Sequence, residues 1–232
     1  MIKNKKEGFT LLELLIVISI IAILSVALVI VLNPAETLKK ARDAQRIADL
    51  STLKSAIGIY TTSVNPSYLG GAASNAICKT TPATAWGAGT FKISYSYPSD
   101  SPGAAITDAT LDGGTGAGGS TSRQTTVALG GLTDGQGWVP VNFDGVPGGS
   151  PISNIPADPT NTIAAPGAVL WTDLVYRYGC AAAPLTFEID AQLESEAYTV
   201  TDNKRVKDGG NTATLFETGT NLIILGAGAT EF

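Results

Sequence analysis

Hydrophobic and polar positions are divided most unevenly at the start of the chain. From Phe9 to Leu32 every position is apolar or small except Thr10, Ser19, Ser25 and a single charge, Glu13. As a helix the run rises roughly 36 Å, enough to cross the ~30 Å hydrocarbon core of a bilayer. Lys3, Lys5 and Lys6 precede it, which keeps that end cytoplasmic and puts the following residues across the membrane. After Asn33-Pro34 the pattern changes period. Pro34 has no N–H and crowds the carbonyl of Ile30, so the helix is expected to kink there. Ala35, Leu38, Ala41, Ala44, Ile47, Leu50, Leu53, Ile57 and Tyr60 then recur three or four residues apart, predicting an amphipathic helix. Lys39, Arg42, Arg46 and Lys54 mark its charged face. Glu36–Lys40, Asp43–Arg46 and Arg46–Asp49 have the spacing of ion pairs along one helix.

Beyond residue 60 the period shortens. Residues 61–76 are rich in Ser, Thr, Asn, Pro and Gly and predict a loop. Phe91–Tyr97 alternates apolar and polar, as a strand does. Residues 98–124, with the glycine-rich stretch 113–120, predict an exposed excursion. Gly137–Phe143 is a second strand candidate, restricted to an edge by Pro140. Leu174–Cys180 and Thr186–Glu194 predict an antiparallel hairpin. In its second strand Phe187, Ile189, Ala191 and Leu193 point inward, and Glu188, Asp190, Gln192 and Glu194 outward. Asn221–Leu225 is the last strand candidate. The expected fold is α+β: a long kinked helix, its first half transmembrane, packed on a mostly antiparallel β head.

Glu13 breaks the logic of the apolar run. A carboxylate within a membrane span costs about 2.5–3.5 kcal/mol on insertion scales, so it is usually paired and functional. The span holds no basic residue. Cleavage after Gly8 would create one, the new α-amino group of Phe9, and Glu13 of one copy would then neutralise Phe9 of a neighbouring copy. The run Lys6-Glu7-Gly8-Phe9-Thr10-Leu11-Leu12-Glu13-Leu14-Leu15-Ile16-Val17 resembles the leader and first helical turns of type IV pilins and related pseudopilins. In the head, Ile155-Pro156-Ala157-Asp158-Pro159, Tyr176-Arg177-Tyr178 and the Asp208-Gly209-Gly210 loop resemble those families more loosely. The resemblance implies a leader of residues 1–8, cleavage after Gly8 and methylation of Phe9 by a prepilin peptidase. It further implies a filament-core helix over 9–32, an amphipathic half over 33–60 and a head over 61–232. Two plainer accounts compete. A secretory signal cut near Ser25-Val26-Ala27 would have a 7–15-residue apolar region, which this run exceeds. A simple anchor has no use for Glu13.

The chain has 232 residues and a net charge of −5, and loss of Lys3, Lys5, Lys6 and Glu7 with the leader makes it two units more negative. That balance argues against non-specific binding to nucleic acid. Cys78 and Cys180 are the two cysteines; in an oxidising compartment such a pair predicts a disulfide, the alternative being two separate buried thiols. With no histidine, catalytic Ser-His-Asp, Cys-His and histidine-metal sites are excluded. Glu188, Asp190, Glu194 and Glu196 have the spacing of a solvated sheet face, and no phosphate-loop pattern occurs. No enzymatic activity is expected. Asp202, Asp208 and Asn211, with Glu217 beyond, are candidate calcium ligands in a glycine-containing loop. The pseudopilin resemblance implies such a late loop, whereas ordinary turn chemistry and competition from Lys204, Arg205 and Lys207 speak against it. Trp86, Trp138 and Trp171 are either core or a binding patch.

Together these readings describe a structural subunit of a type IV pilus-like filament, the alternatives being a type II secretion pseudopilin or a monomeric membrane-anchored binding protein. The partners implied by the resemblance are identical copies, the prepilin peptidase and methylase, and an assembly platform with its ATPase. The precursor would lie in the inner membrane, and the mature subunit in an extracellular pilus or a periplasmic pseudopilus.

Overall fold

The structure, a computed structural model, describes residues 8–84, 86, 91–101, 106, 122–164 and 169–226. Two compact units divide at Lys39/Lys40. The first contains α1, Leu11–Leu32. Its residues are apolar around the whole circumference, and every described side chain on it is exposed. A helix with no polar face must be covered by something other than water. Ser19 and Ser25 avoid unpaired hydroxyls by donating to the carbonyls of Ile16 and Ala22, at 2.7 and 2.9 Å.

The break after α1 is one residue earlier than expected. Asn33 adopts a left-handed conformation (φ 37°, ψ 70°) and ends α1. Pro34 is the first residue of α2, Pro34–Ser63. At that position its missing N–H costs nothing and its fixed φ suits the helix. Asn33 also receives the new helix, its carbonyl accepting from the N–H groups of Glu36 and Thr37 at 3.1 and 3.2 Å. Asparagine tolerates positive φ better than most residues.

The second unit is built on a mixed five-stranded sheet: β1 Ile93–Tyr95, β2 Ser122–Arg123, β3 Tyr176–Ala182, β4 Leu185–Ala191 and β5 Phe216–Gly219, ordered β2-β1-β3-β4-β5. Among these five strands only β1 and β2 pair in parallel. The predicted hairpin is β3–β4, running from Tyr176↔Ala191 to Ala182↔Leu185. Leu50, Leu53, Ala56, Ile57 and Tyr60 of α2 pack into one core with Tyr176, Tyr178, Cys180, Phe187, Ile189 and Ala191. Alternate strand residues supply that face. Trp86, Ile93, Tyr95, Val169, Val175, Ala181, Ile224 and Leu225 belong to a second core.

The second core corrects several expectations. Glu188 and Asp190 do not face solvent but are buried, as is Arg46 of α2. Alternation marks one face of a strand for the core, and here segments from elsewhere in the chain bury the other face too. Gly137–Phe143 is not a strand. Trp138, Val139, Val141 and Phe143 are all buried, and the backbone is tied to loops: Trp138 N–H donates to the Gly130 carbonyl at 3.0 Å and Phe143 N–H to that of Thr133 at 2.7 Å. The Arg123 guanidinium takes the carbonyls of Gly137 and Trp138 at 2.8 and 2.9 Å. Asn221–Leu225 is not a strand either; β5 lies upstream of it, and the polar groups of Ile224 are satisfied by side chains. Phe91–Tyr97 contracts to β1. Residues 102–105 and 107–121, with the glycine-rich stretch, lie outside the described residues, and β2 follows them. Trp86 and Trp138 are core; Trp171 is partly exposed.

Candidate processing and assembly site

Gly8 and Phe9 precede α1 as exposed, non-helical residues. No atom lies within 4 Å of where a Cβ on Gly8 would stand, and Phe9 is 84% exposed. An exposed, non-helical peptide is what a protease needs to bind a chain at the bond it cuts. Thr10 is the N-cap of α1 (φ −81°, ψ 151°) and forms a capping box with Glu13. Thr10 Oγ1 accepts from the Glu13 N–H at 3.2 Å, while Glu13 Oε2 accepts from Thr10 N–H and Oγ1–H at 2.9 and 2.8 Å. The box satisfies N–H groups that the first helical turn cannot. It lies wholly on the far side of the Gly8–Phe9 bond, so cleavage there would leave it intact. Thr10 is a partner that the charge-based reading of Glu13 misses; Thr10-x-x-Glu13 is itself the sequence signature of the box. Its donors are neutral, so the cap orients the carboxylate without supplying a countercharge.

A family model described as the prokaryotic N-terminal methylation motif matches residues 3–29. These residues are a prepilin-type motif. The motif supports a type IV pilin- or pseudopilin-type subunit in general, and the helix it runs into is long and apolar enough to cross a membrane. The match runs from residue 3 through the cap and most of α1, and includes none of the head. No curated protein and no solved structure matches the chain.

A second functional cluster joins the head to its own part of the long helix. Arg46 grips both oxygens of Asp158 (2.7 and 3.0 Å), Asp43 at 2.8 Å and Glu194 at 2.6 Å. Arg42 makes a paired contact with Glu194 at 2.9 and 2.8 Å. Asp43 in turn accepts from the N–H groups of Glu194 and Ser195 and from the Ser195 hydroxyl. Burial alone would lower the pKa of Arg46; hydrogen bonding and attraction to Asp158, Glu194 and Asp43 outweigh it and raise the value. Burial likewise favours the neutral form of Glu194, and Arg42 and Arg46 reverse that. Of the expected pairs along this helix, Asp43–Arg46 forms. Asp49 instead accepts from the Tyr176 hydroxyl at 2.9 Å.

Each candidate calcium ligand is engaged by other partners. Asp202 is held by Lys204 and Lys207, each at 2.5 Å, and their hydrogen bonds lower its pKa to about 2. Asp208 accepts from the N–H groups of Gly210 and Glu217 at 2.9 and 2.8 Å. The Asn211 amide donates to the Gly226 carbonyl. Among the described residues no group of three or more acids, cysteines or histidines is arranged to hold a metal ion. The loop is ordered by its own side chains. Cys78 and Cys180 are joined, with S–S 2.07 Å and Cα–Cα 4.6 Å.

Proposed function

We propose that this chain is the structural subunit of a type IV pilus-like filament, made as an inner-membrane precursor, cut after Gly8, methylated at Phe9 and polymerised through α1. The observation that carries the reading is α1 itself. It is exposed and apolar on every side, its single charge is at Glu13 in the first turn, and only its cap, Thr10, separates it from an open Gly8-Phe9. Lipid covers such a helix before assembly, and the helices of other copies cover it afterwards. In that bundle Glu13 of one copy meets the Phe9 amine of the next, which sets the register between copies. The prepilin peptidase, an assembly platform and its ATPase are the partners this route requires.

Intact mass and N-terminal analysis of protein sheared from cells tests the proposal. The expected product begins at methylated Phe9 and sediments as fibres. A chain still starting at Met1, or one cut after Ala27 and soluble, overturns it. Glu13→Gln keeps the shape and removes the charge. If the pairing is worth about 3 kcal/mol, fibre yield falls on the order of 100-fold, with head stability unchanged. Wild-type fibre yield from Glu13→Gln would reject the pairing.

A further inference from the structure

The face of the sheet opposite α2 holds buried charge that the filament reading leaves unused. Arg177 on β3 bonds Asp190 on β4 at 3.0 Å, and Asp190 stands directly opposite Glu217 on β5. Glu188, two residues before Asp190 and so on the same face, is fully buried. Its Oε2 accepts from the N–H groups of Ile224 and Leu225 at 2.7 and 2.8 Å. The carbonyl of Ile224 accepts from Lys79 Nζ at 2.6 Å and from Trp86 Nε1 at 3.1 Å. Residues 222–225 thus form a strap held by side chains, where the sequence had suggested a strand. The strap needs Gly179 beneath it: a Cβ there would come within 2.8 Å of Leu225.

Glu188 Oε1 is buried, and no donor reaches it among the described residues. Asp190 pairs with Glu217 and Glu188 with Gly219, so the Glu217 carboxyl stands on the same face one step along the neighbouring strand and interacts with Glu188; its own Oε2 accepts from Thr212 N–H at 3.0 Å. Gly210 lies so close to Glu217 that a Cβ there would fall 1.7 Å from Oε2, leaving that carboxyl little room to turn away. Two carboxylates in contact repel; one proton between them makes a hydrogen bond instead. We propose that Glu188 and Glu217 share one proton, and that this proton closes a pH-sensitive clasp over residues 222–225.

The charged groups around the pair are already engaged or add to the effect. Arg177 is committed to Asp190 and to the Leu170 carbonyl, and Lys79 lies against Ile224 O and the Trp86 ring. Asp190 and Asp208 add negative charge; the strap, Leu222 to Leu225, has no titratable side chain. Burial first, then the neighbouring acids, pushes Glu217 up to about 7, and burial and Glu217 raise Glu188. The closed clasp therefore binds a proton that the open form, with ordinary carboxyls near 4.3, releases. Closure is favoured in acid and weakens as pH rises toward about 7, above which no further loss follows.

Amide exchange of the full chain in detergent, with chelator present and corrected for intrinsic rates, reads the clasp at Ile224 and Leu225. Protection is expected to fall roughly 100-fold between pH 4.5 and 8, while Tyr178 and Ile189 in the hairpin change less. Glu217→Gln supplies a permanent N–H to Glu188 and should give a flat profile. Glu188→Gln serves the same purpose if that variant does not fold. A flat wild-type profile, or a folded Gln variant that keeps the wild-type slope, overturns the proposal.

Discussion

Arg46→Ala is expected to lower the unfolding free energy by about 3–5 kcal/mol, as removing one member of a buried ionic cluster does. Arg46 is fully buried and bonds three carboxylates. Its loss leaves Asp158 and Asp43 buried without their cation, while Glu194 keeps Arg42. The penalty comes mainly from those stranded acids. Arg46→Lys should recover only part of it, because an ammonium cannot match both oxygens of Asp158 as the planar guanidinium does. Urea unfolding of the full chain in detergent, followed by tryptophan fluorescence, measures the change. A loss below about 1 kcal/mol, the range of exposed pairs, would show that the cluster is solvated in solution. The cluster also sets an acid limit. The stability supplied by the lowered Glu194 is fully present above the ordinary carboxylate range and is lost as pH falls through its folded value. Its sign is opposite to that of the Glu188–Glu217 clasp.

Replacing both cysteines with serine should cost up to about 4.7 kcal/mol, the chain-entropy figure for a loop of ~100 residues, given the separation of 102 residues between Cys78 and Cys180. Both sulfurs are buried. The bond fastens the segment around Lys79 to the edge of β3, where Lys79 N–H donates to Cys180 O and Ala182 N–H to Lys79 O, both at 2.8 Å. Reductant should therefore act slowly on the folded chain and quickly once denaturant opens it. Denaturant midpoints with and without reductant, with thiol labelling followed by mass, test both statements. An unchanged midpoint, or rapid labelling of the native protein, would count against them. Each of these two losses is a large share of the ~5–15 kcal/mol that typically separates folded from unfolded chains.

The parts legible in the sequence are those whose signal is local. The apolar run of α1, the three- and four-residue spacing from Leu50 to Tyr60, and the β3–β4 alternation each describe one element against one environment. Arg46, Glu188 and Asp190 were misplaced because their surroundings come from far along the chain: Asp158 and Glu194 for the first, Trp86, Val169 and Leu225 for the covered sheet face. Gly137–Phe143 and Asn221–Leu225 show a related limit. An apolar run says that side chains are buried, but not whether a neighbouring strand satisfies the backbone. At the N-terminus the prepilin-type motif was plain from the spacing of glycine, aromatic and acid, whereas the cap between Thr10 and Glu13 was written in the same residues and is a statement about hydrogen bonds instead of charge.

Asp43 has a mechanical consequence. Its carboxylate meets the backbone of Glu194 and Ser195, three and four residues past the end of β4. Arg42 and Arg46 grip the same turn, and Leu50 to Tyr60 lie on the sheet farther along the helix. Tension entering through this helix therefore reaches polar anchors first and then a row of apolar contacts set along the direction of pull. Contacts in that arrangement must slide past one another together instead of peeling apart one at a time. Within the head, α2 from Arg42 to Tyr60 is fastened to its sheet in shear.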